Sequence, residues 1–275
     1  MVPGGMGTEL QYESPHDPAV AARHRWLAAL LEVADGDRVV DLGCGDGVTL
    51  EVLAAHLDGG VLLGLDAAEP ALAEAARRLG NGRPRSRVAL VRADLSERLP
   101  LTDRSVDKAI CHNVLESLPD PDAFLREAHR VLRPGGRLVL SHPDYDTLVF
   151  TAPDLALTRR LVHAYCDTQQ DWMSAVNGTI GRWLHDIAGR SPLTVERTAA
   201  STVLSRGFQA PMLGYMFAQH VADVLRRAGG FANWELDGWL ASLAEVDARG
   251  AFLWSINDYA VVCRRPAVDG GRERR

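Results

Sequence analysis

The chain has 275 residues, 47% hydrophobic and 24% charged, which suits one large globular domain or one domain carrying a lid. Thirty basic residues stand against 36 acidic ones, a net charge of −6, and the basic ones are scattered. This excludes a nucleic-acid or anionic-membrane face as the expected partner and leaves small molecules.

The first residues, "MVPGGMGTELQYESPHDP", lack a basic start followed by an apolar run, and no later segment approaches the roughly 20 apolar residues of a membrane span. A cytoplasmic protein is expected. Cys44, Cys111, Cys166 and Cys263 are far apart, with no CxxC or Cys/His spacing, so neither a disulfide framework nor a zinc site is expected.

Asp17 can cap a helix whose first position is Pro18, with Ala, Leu and Trp at helical spacing to Leu31. Strands follow at "RVVDL" (38–42), "VLLGLD" (61–66), "RVALVRAD" (87–94), "VDKAICHN" (106–113) and "GRLVLSHPD" (136–144), with helices at Pro70–Leu79 and "DAFLREAHRVL" (122–132) between them. Short apolar strands alternating with amphipathic helices predict right-handed crossovers and a doubly wound, mostly parallel sheet, an α/β fold. Beyond Asp146 the rhythm changes. Helices are expected over 153–170, 177–189 and, broken at "AGGFAN", from Met212 to Arg249, with strands at 193–205 and 252–265.

The loop Gly43 to Gly47 follows the first strand, where open α/β sheets bind ligands. Its glycines let backbone approach a ligand, and the next helix offers free N–H groups. From Gly43, the third glycine of a G-x-G-x-x-G dinucleotide fingerprint would fall at Val48, so the spacing argues against a nicotinamide cofactor. Asp41 would repel phosphate but could receive an ammonium group, and Asp66, ending the second strand, could accept both hydroxyls of a ribose. A ligand with a ribose and a cationic amino-acid end fits both.

The segments "VVDLGCGDG", "LGLDAAEPALAEAARR", "RADLSERLPLTDRSVDKAICHNVLESLPDP" and "REAHRVLRPGGRLVLSHPD" together resemble the class I S-adenosylmethionine-dependent methyltransferases of the small-molecule type 11 group. The resemblance is close over 17–147 and weaker beyond. It implies a seven-stranded Rossmann-like sheet and S-adenosyl-L-methionine as cofactor. It further implies that Asp41, Gly43 and Gly45 hold the methionine end, Asp66 the ribose, Asp94 and Leu95 the adenine, and His112 and Asn113 the region of the sulfonium, with Ala67 also binding the cofactor. Asp94 also fits a plain loop turn or helix cap, Asp66 a solvated strand end. Arg23 or Arg25 could reach the cofactor carboxylate, or simply face solvent.

The expected organisation is a core with its N-terminal helix over 1–148, helical lid insertions at 149–176 and 206–250, the rest of the core at 177–205 and 251–265, and a disordered tail at 266–275. Of 17 aromatic residues only Tyr12, Trp26, Phe124 and Tyr145 precede residue 149. An acceptor pocket is therefore expected from Tyr12, Tyr145, Tyr165, Trp172, Met212, Tyr215 and Met216, with Met173, Phe208 and Phe217 as further candidates, although each also suits simple packing. "SHPDYDT" opens at the same end of the sheet. His142 is the first candidate base, with Asp144 or Asp146 to orient it, and His112 the competitor; either histidine also suits a structural hydrogen bond. No metal is expected, although Asp144 and Asp146 are the pair that would suggest one.

The expected function is methyl transfer to O, N or C of a small aromatic or polyketide-like metabolite by a monomer or homodimer. The rivals are a methyltransferase-like protein that keeps the cofactor structurally while catalysing a cyclisation or rearrangement, and a non-enzymatic cofactor-binding protein.

Overall fold

The computed structural model describes residues 17–80, 86–174 and 178–267. Tyr12 and residues 268–275 of the expected tail lie outside these. In chain order the elements are α1 (Pro18–Leu31), β1 (Arg38–Leu42), α2 (Val48–His56), β2 (Val61–Asp66), α3 (Glu69–Gly80), β3 (Arg87–Arg92), β4 (Val106–His112), α4 (Pro121–Val131), β5 (Leu132–Phe150), α5 (Leu155–Asp167), α6 (Ile180–Gly189), β6 (Thr194–Ser205), α7 (Leu213–Ala228), α8 (Asn233–Ala248) and β7 (Trp254–Arg264). A 3₁₀ turn, Leu115–Ser117, separates β4 from α4.

The seven strands form one sheet in the order β3-β2-β1-β4-β5-β7-β6. β1 runs parallel to β2 and β4, β2 to β3 and β4 to β5, so the fold is the doubly wound Rossmann-like sheet. β7 alone opposes its neighbour: Gly135 N–H donates to Arg265 O and Thr151 N–H to Leu253 O, so the pairing runs antiparallel. The order reverses between β1 and β4, and that is where such sheets bind ligands.

β5 is longer than the expected 136–144. It begins before Gly136, where pairing of Gly135 and Gly136 with Arg265 overrides the turn signal of "RPGG", and it ends at Phe150, next to the bond from Thr151 N–H to Leu253 O.

The chain separates into two compact units. Among the described residues, one holds 17–23, 143–174, 178–182 and 200–259; the other holds 24–80, 86–142, 183–199 and 260–267. The division within β5 falls after His142, ahead of the boundary expected at 148. In the second unit Leu27, Leu31, Val39, Leu50, Leu53, Leu62, Ile110 and Val139 make one buried cluster. In the first unit a single carboxylate starts two helices: Asp17 accepts from Ala19 N–H at 2.8 Å in α1 and from Leu213 N–H at 2.5 Å in α7. All four cysteines are buried and free, and no described helix is long and apolar enough to cross a membrane.

Candidate cofactor and acid–base site

Because β1 is buried from Val39 to Leu42, Asp41 is carried inside with it and is only 2% exposed. Its Oδ2 has no hydrogen-bond partner among the described residues. Burial first, and then the nearby Asp66 carboxylate, push the Asp41 pKa up to about 8. A buried, unpartnered acid beside a second acid is an electrostatic socket for a cation.

The loop after β1 is built around its glycines. Gly43 has φ 83°, and a Cβ there would lie 2.3 Å from Val114 Cγ2, so only glycine lets the β1 loop pass the turn after β4. Gly45, at φ 50°, has open space where a Cβ would stand, and its N–H donates to Asp66 Oδ2 at 2.8 Å. Asp66 Oδ1 accepts from Ala68 N–H at 2.8 Å. Asp66 thus fixes the loop from the neighbouring strand, with Ala67 exposed beside it. Asp46 is held by Arg78, 2.7 Å from its side chain and 2.9 Å from its carbonyl. No side chain caps the N-terminus of α2, which leaves its first N–H groups facing the loop.

Asp94 is exposed, and its Oδ1 accepts from Ser96 N–H at 2.8 Å and Ser96 Oγ at 2.6 Å, the turn geometry its sequence position allowed. Leu95 is buried and lines a cavity of about 210 Å³ with Phe124 and Glu127. Beyond His112 the chain turns sharply: Asn113 has φ 56°, and its N–H donates to Ser141 O at 2.9 Å. A non-glycine residue held there carries strain of order 1 kcal/mol or more, a feature that clusters at functional sites.

Sequence reasoning missed His24 and Thr49. His24 Nδ1 lies 2.9 Å from Thr49 Oγ1 in the first turn of α2, and its ring stands edge-on to His112 at 5.5 Å. Arg23, offered as a cofactor ligand, instead holds Asp258 at 2.6 Å with both side chains buried, and Arg25 is exposed.

His142 is fully buried, and its Nε2 lies 3.6 Å from Oε2 of Glu116, itself 1% exposed. Glu116 was also missed, although "VLESLPDP" places an acid in a tight turn directly after a strand. Asp144 and Asp146, offered as partners for His142, are both engaged elsewhere. Arg182 Nε is 2.6 Å from Asp144 Oδ2, and its Nη2 is 2.7 Å from Asp144 Oδ1 and 2.9 Å from Asp146 Oδ2.

The acceptor candidates fall in the first unit and in two groups. Tyr145 and Tyr165 meet at 5.5 Å, both pack on Phe217, and His220 joins them to Trp172. Burial, then Arg227, hold the His220 pKa down to about 4, so it is neutral at pH 7. Tyr215 instead meets Phe208 edge-on, and Phe208 also meets Phe252. Met212 and Met216 are half-buried at the start of α7.

Residues 40–140 match the methyltransferase domain family of type 11. A 37.1 kDa protein in transposon TN4556 of Streptomyces fradiae is 33% identical over 239 residues, covering 85% of this chain and 64% of that one. A ubiquinone biosynthesis O-methyltransferase of Pseudomonas syringae is 32% identical over 134 residues, 48% of this chain and 55% of its own. A trans-aconitate 2-methyltransferase of Methylobacterium nodulans is 38% identical over 118 residues, 43% of each. The matches span about two thirds or less of these relatives.

Among solved structures, the YcgJ protein of Bacillus subtilis superposes with a TM-score of 0.57 at 14% identity, covering 89% of this chain and 99% of that one. The [4+2]-cyclase SpnF gives 0.55 at 16% identity, covering 93% and 86%. The fold is that of methyltransferases. Residues 40–140 carry the match to the type 11 methyltransferase domain, the sheet is that of the class I methyltransferases, and S-adenosylmethionine is the cofactor they indicate. The residues present fit that group: the unpartnered buried Asp41 oxygen suits an ammonium, and the open face at Gly45 admits a ligand against backbone.

Proposed function

We propose that the protein transfers the methyl group of S-adenosylmethionine to O, N or C of a small aromatic or polyketide-like metabolite. The observation that carries the cofactor half is Asp41, a buried carboxylate with an unpartnered oxygen at the switch point of the sheet. In this reading Asp41 receives the ammonium, Gly43 and Gly45 give the methionine end its backbone surface, and Asp66 with Ala67 meets the ribose. Asp94 and Leu95 meet the adenine, and His112 and Asn113 the region around sulfur. The cofactor supplies an electrophilic methyl on a sulfonium. The chain's own work is to align the acceptor with it and exclude water.

The acceptor half is supported by the aromatic residues of the first unit. Tyr145 and Tyr165 are buried with Phe217 and His220, and the half-buried Trp172 beside His220 offers flat apolar surface next to them. Two relatives carry names that specify small-molecule methylation, one at oxygen in ubiquinone biosynthesis and one on trans-aconitate. His142 takes the proton of an acceptor that arrives protonated. We place the enzyme in the cytoplasm, in secondary metabolism, as a monomer or homodimer.

The test is mass spectrometry of products formed from trideuteromethyl S-adenosylmethionine with a panel of phenols, catechols, polyketide lactones and tricarboxylates. A product carrying the deuterated methyl is expected, and Tyr145→Ala or Trp172→Ala should raise the acceptor's KM far more than the cofactor's. A product isomeric with its precursor and free of deuterium would replace methyl transfer by cyclisation or rearrangement.

A further inference from the structure

A carboxylate that is 1% exposed is costly to ionise unless a positive group answers it. Facing Glu116 at ion-pair distance is the fully buried His142, with Nε2 3.6 Å from Oε2. They come from different elements, the 3₁₀ turn after β4 and the carboxyl end of the pairing between β4 and β5, and lie 26 residues apart in sequence. Their convergence is a product of the fold. It occurs beside the switch point, where His112 pairs in register with Ser141, the residue before His142.

We propose that Glu116 is the positioning carboxylate of His142, and that the two form one buried acid–base pair serving the methyl acceptor. This rests on the reading of His142 as the base. The separation exceeds a hydrogen bond, but such contacts tighten when the reacting groups are in place. As the acceptor's heteroatom bonds to the methyl carbon, the S–CH₃ electron pair stays on sulfur, and the acceptor's proton passes to the imidazole. Glu116 carries the counter-charge to the imidazolium that results. A neutral pair becomes hard to protonate in so dry a place, whereas a carboxylate facing the ring keeps it basic.

Other titratable groups at the carboxyl end of the central strands include His112 and Cys111 on β4, His24 edge-on to His112, Asp41 on β1 and Asp66 on β2. Asp144, next but one along β5, is held by Arg182.

The experiment is an NMR titration of the full chain saturated with S-adenosylhomocysteine, with ¹⁵N-histidine and ¹³C-glutamate labels, His142 being assigned by its loss in His142→Gln. In the wild type the imidazole of His142 and the carboxyl of Glu116 should titrate in shared steps. Glu116→Gln should lower the His142 pKa by about one unit or more, a tenfold loss of protonated fraction at a given pH. Glu116→Asp should restore part of it. Independent titration of the two groups in the wild type, or an unchanged His142 pKa in Glu116→Gln, overturns the pairing; the wild-type measurement decides even if the variant does not fold. The base reading fails separately, if His142→Ala keeps the pH–rate profile of the wild type on the deuteromethyl product.

Discussion

Asp41 ties cofactor binding to pH. Its carboxyl keeps a proton up to about pH 8 in the folded chain, above the ordinary aspartate value, so near neutral pH an arriving ammonium meets an acid that must first ionise. Binding then releases a proton, and affinity should rise as pH rises toward 8. Calorimetry at pH 7 in two buffers of different ionisation enthalpy should show up to one proton released on binding S-adenosylhomocysteine. Asp41→Asn should abolish that release and weaken binding by about 1.5 to 3 kcal/mol, roughly 10- to 150-fold. The sign for stability runs the other way. An acid whose pKa is raised by folding stabilises the empty protein below the unfolded value, and that stability drains as pH climbs from about 4 to about 8. The places of Asp41, Gly43 and Asp66 were legible in the sequence because a strand end, a glycine run and a second strand end are local patterns. Glu116 and His24 were not, because each is defined by a partner on another element, His142 in one case and Thr49 in the other.

At the scale of elements, the join between β5 and α6 depends on one guanidinium. Arg182 neutralises Asp144, whose side chain is wholly buried, and reaches Asp146 as well. The carboxylates hold the Arg182 proton more tightly than usual. Removing a partner from a buried pair strands the other charge at about 3 to 5 kcal/mol. Arg182 is itself 44% exposed, so water recovers part of this, and Arg182→Ala should cost about 2 to 3 kcal/mol in urea unfolding. A loss below about 0.5 kcal/mol would mean that Asp144 is answered by another group. The elements themselves were mostly legible: strands β1 to β4 and the break between α7 and α8 lie where periodicity and glycines put them. The full length of β5 was not, since the pairing of Thr151 with Leu253 joins residues a hundred positions apart, beyond any window of local pattern.

At the scale of the whole molecule, a cofactor that binds only the folded chain must stabilise it. At a concentration 100 times its Kd, S-adenosylmethionine adds about 2.7 kcal/mol. For a chain of this size that corresponds to a rise in Tm of about 5 to 10 °C. Differential scanning fluorimetry should show this rise with S-adenosylmethionine, S-adenosylhomocysteine and sinefungin, and none with NADH; a shift with NADH alone would remove the cofactor assignment.

The strand order carries a consequence for synthesis. β7 follows the other six strands in the chain, yet its place is between β5 and β6. Until it emerges from the ribosome, β5 and β6 each present a bare hydrogen-bonding edge that nothing upstream can close. The nascent chain thus holds a slot open through the whole translation of α7 and α8, with β6 unable to dock. Release of a chain stopped before Trp254 should give aggregates in a cell-free system, and adding a peptide of Trp254–Arg264 during synthesis should recover soluble protein by filling the slot in trans. Soluble, cofactor-binding protein from the stopped chain alone would show that the sheet can close without its last-made strand.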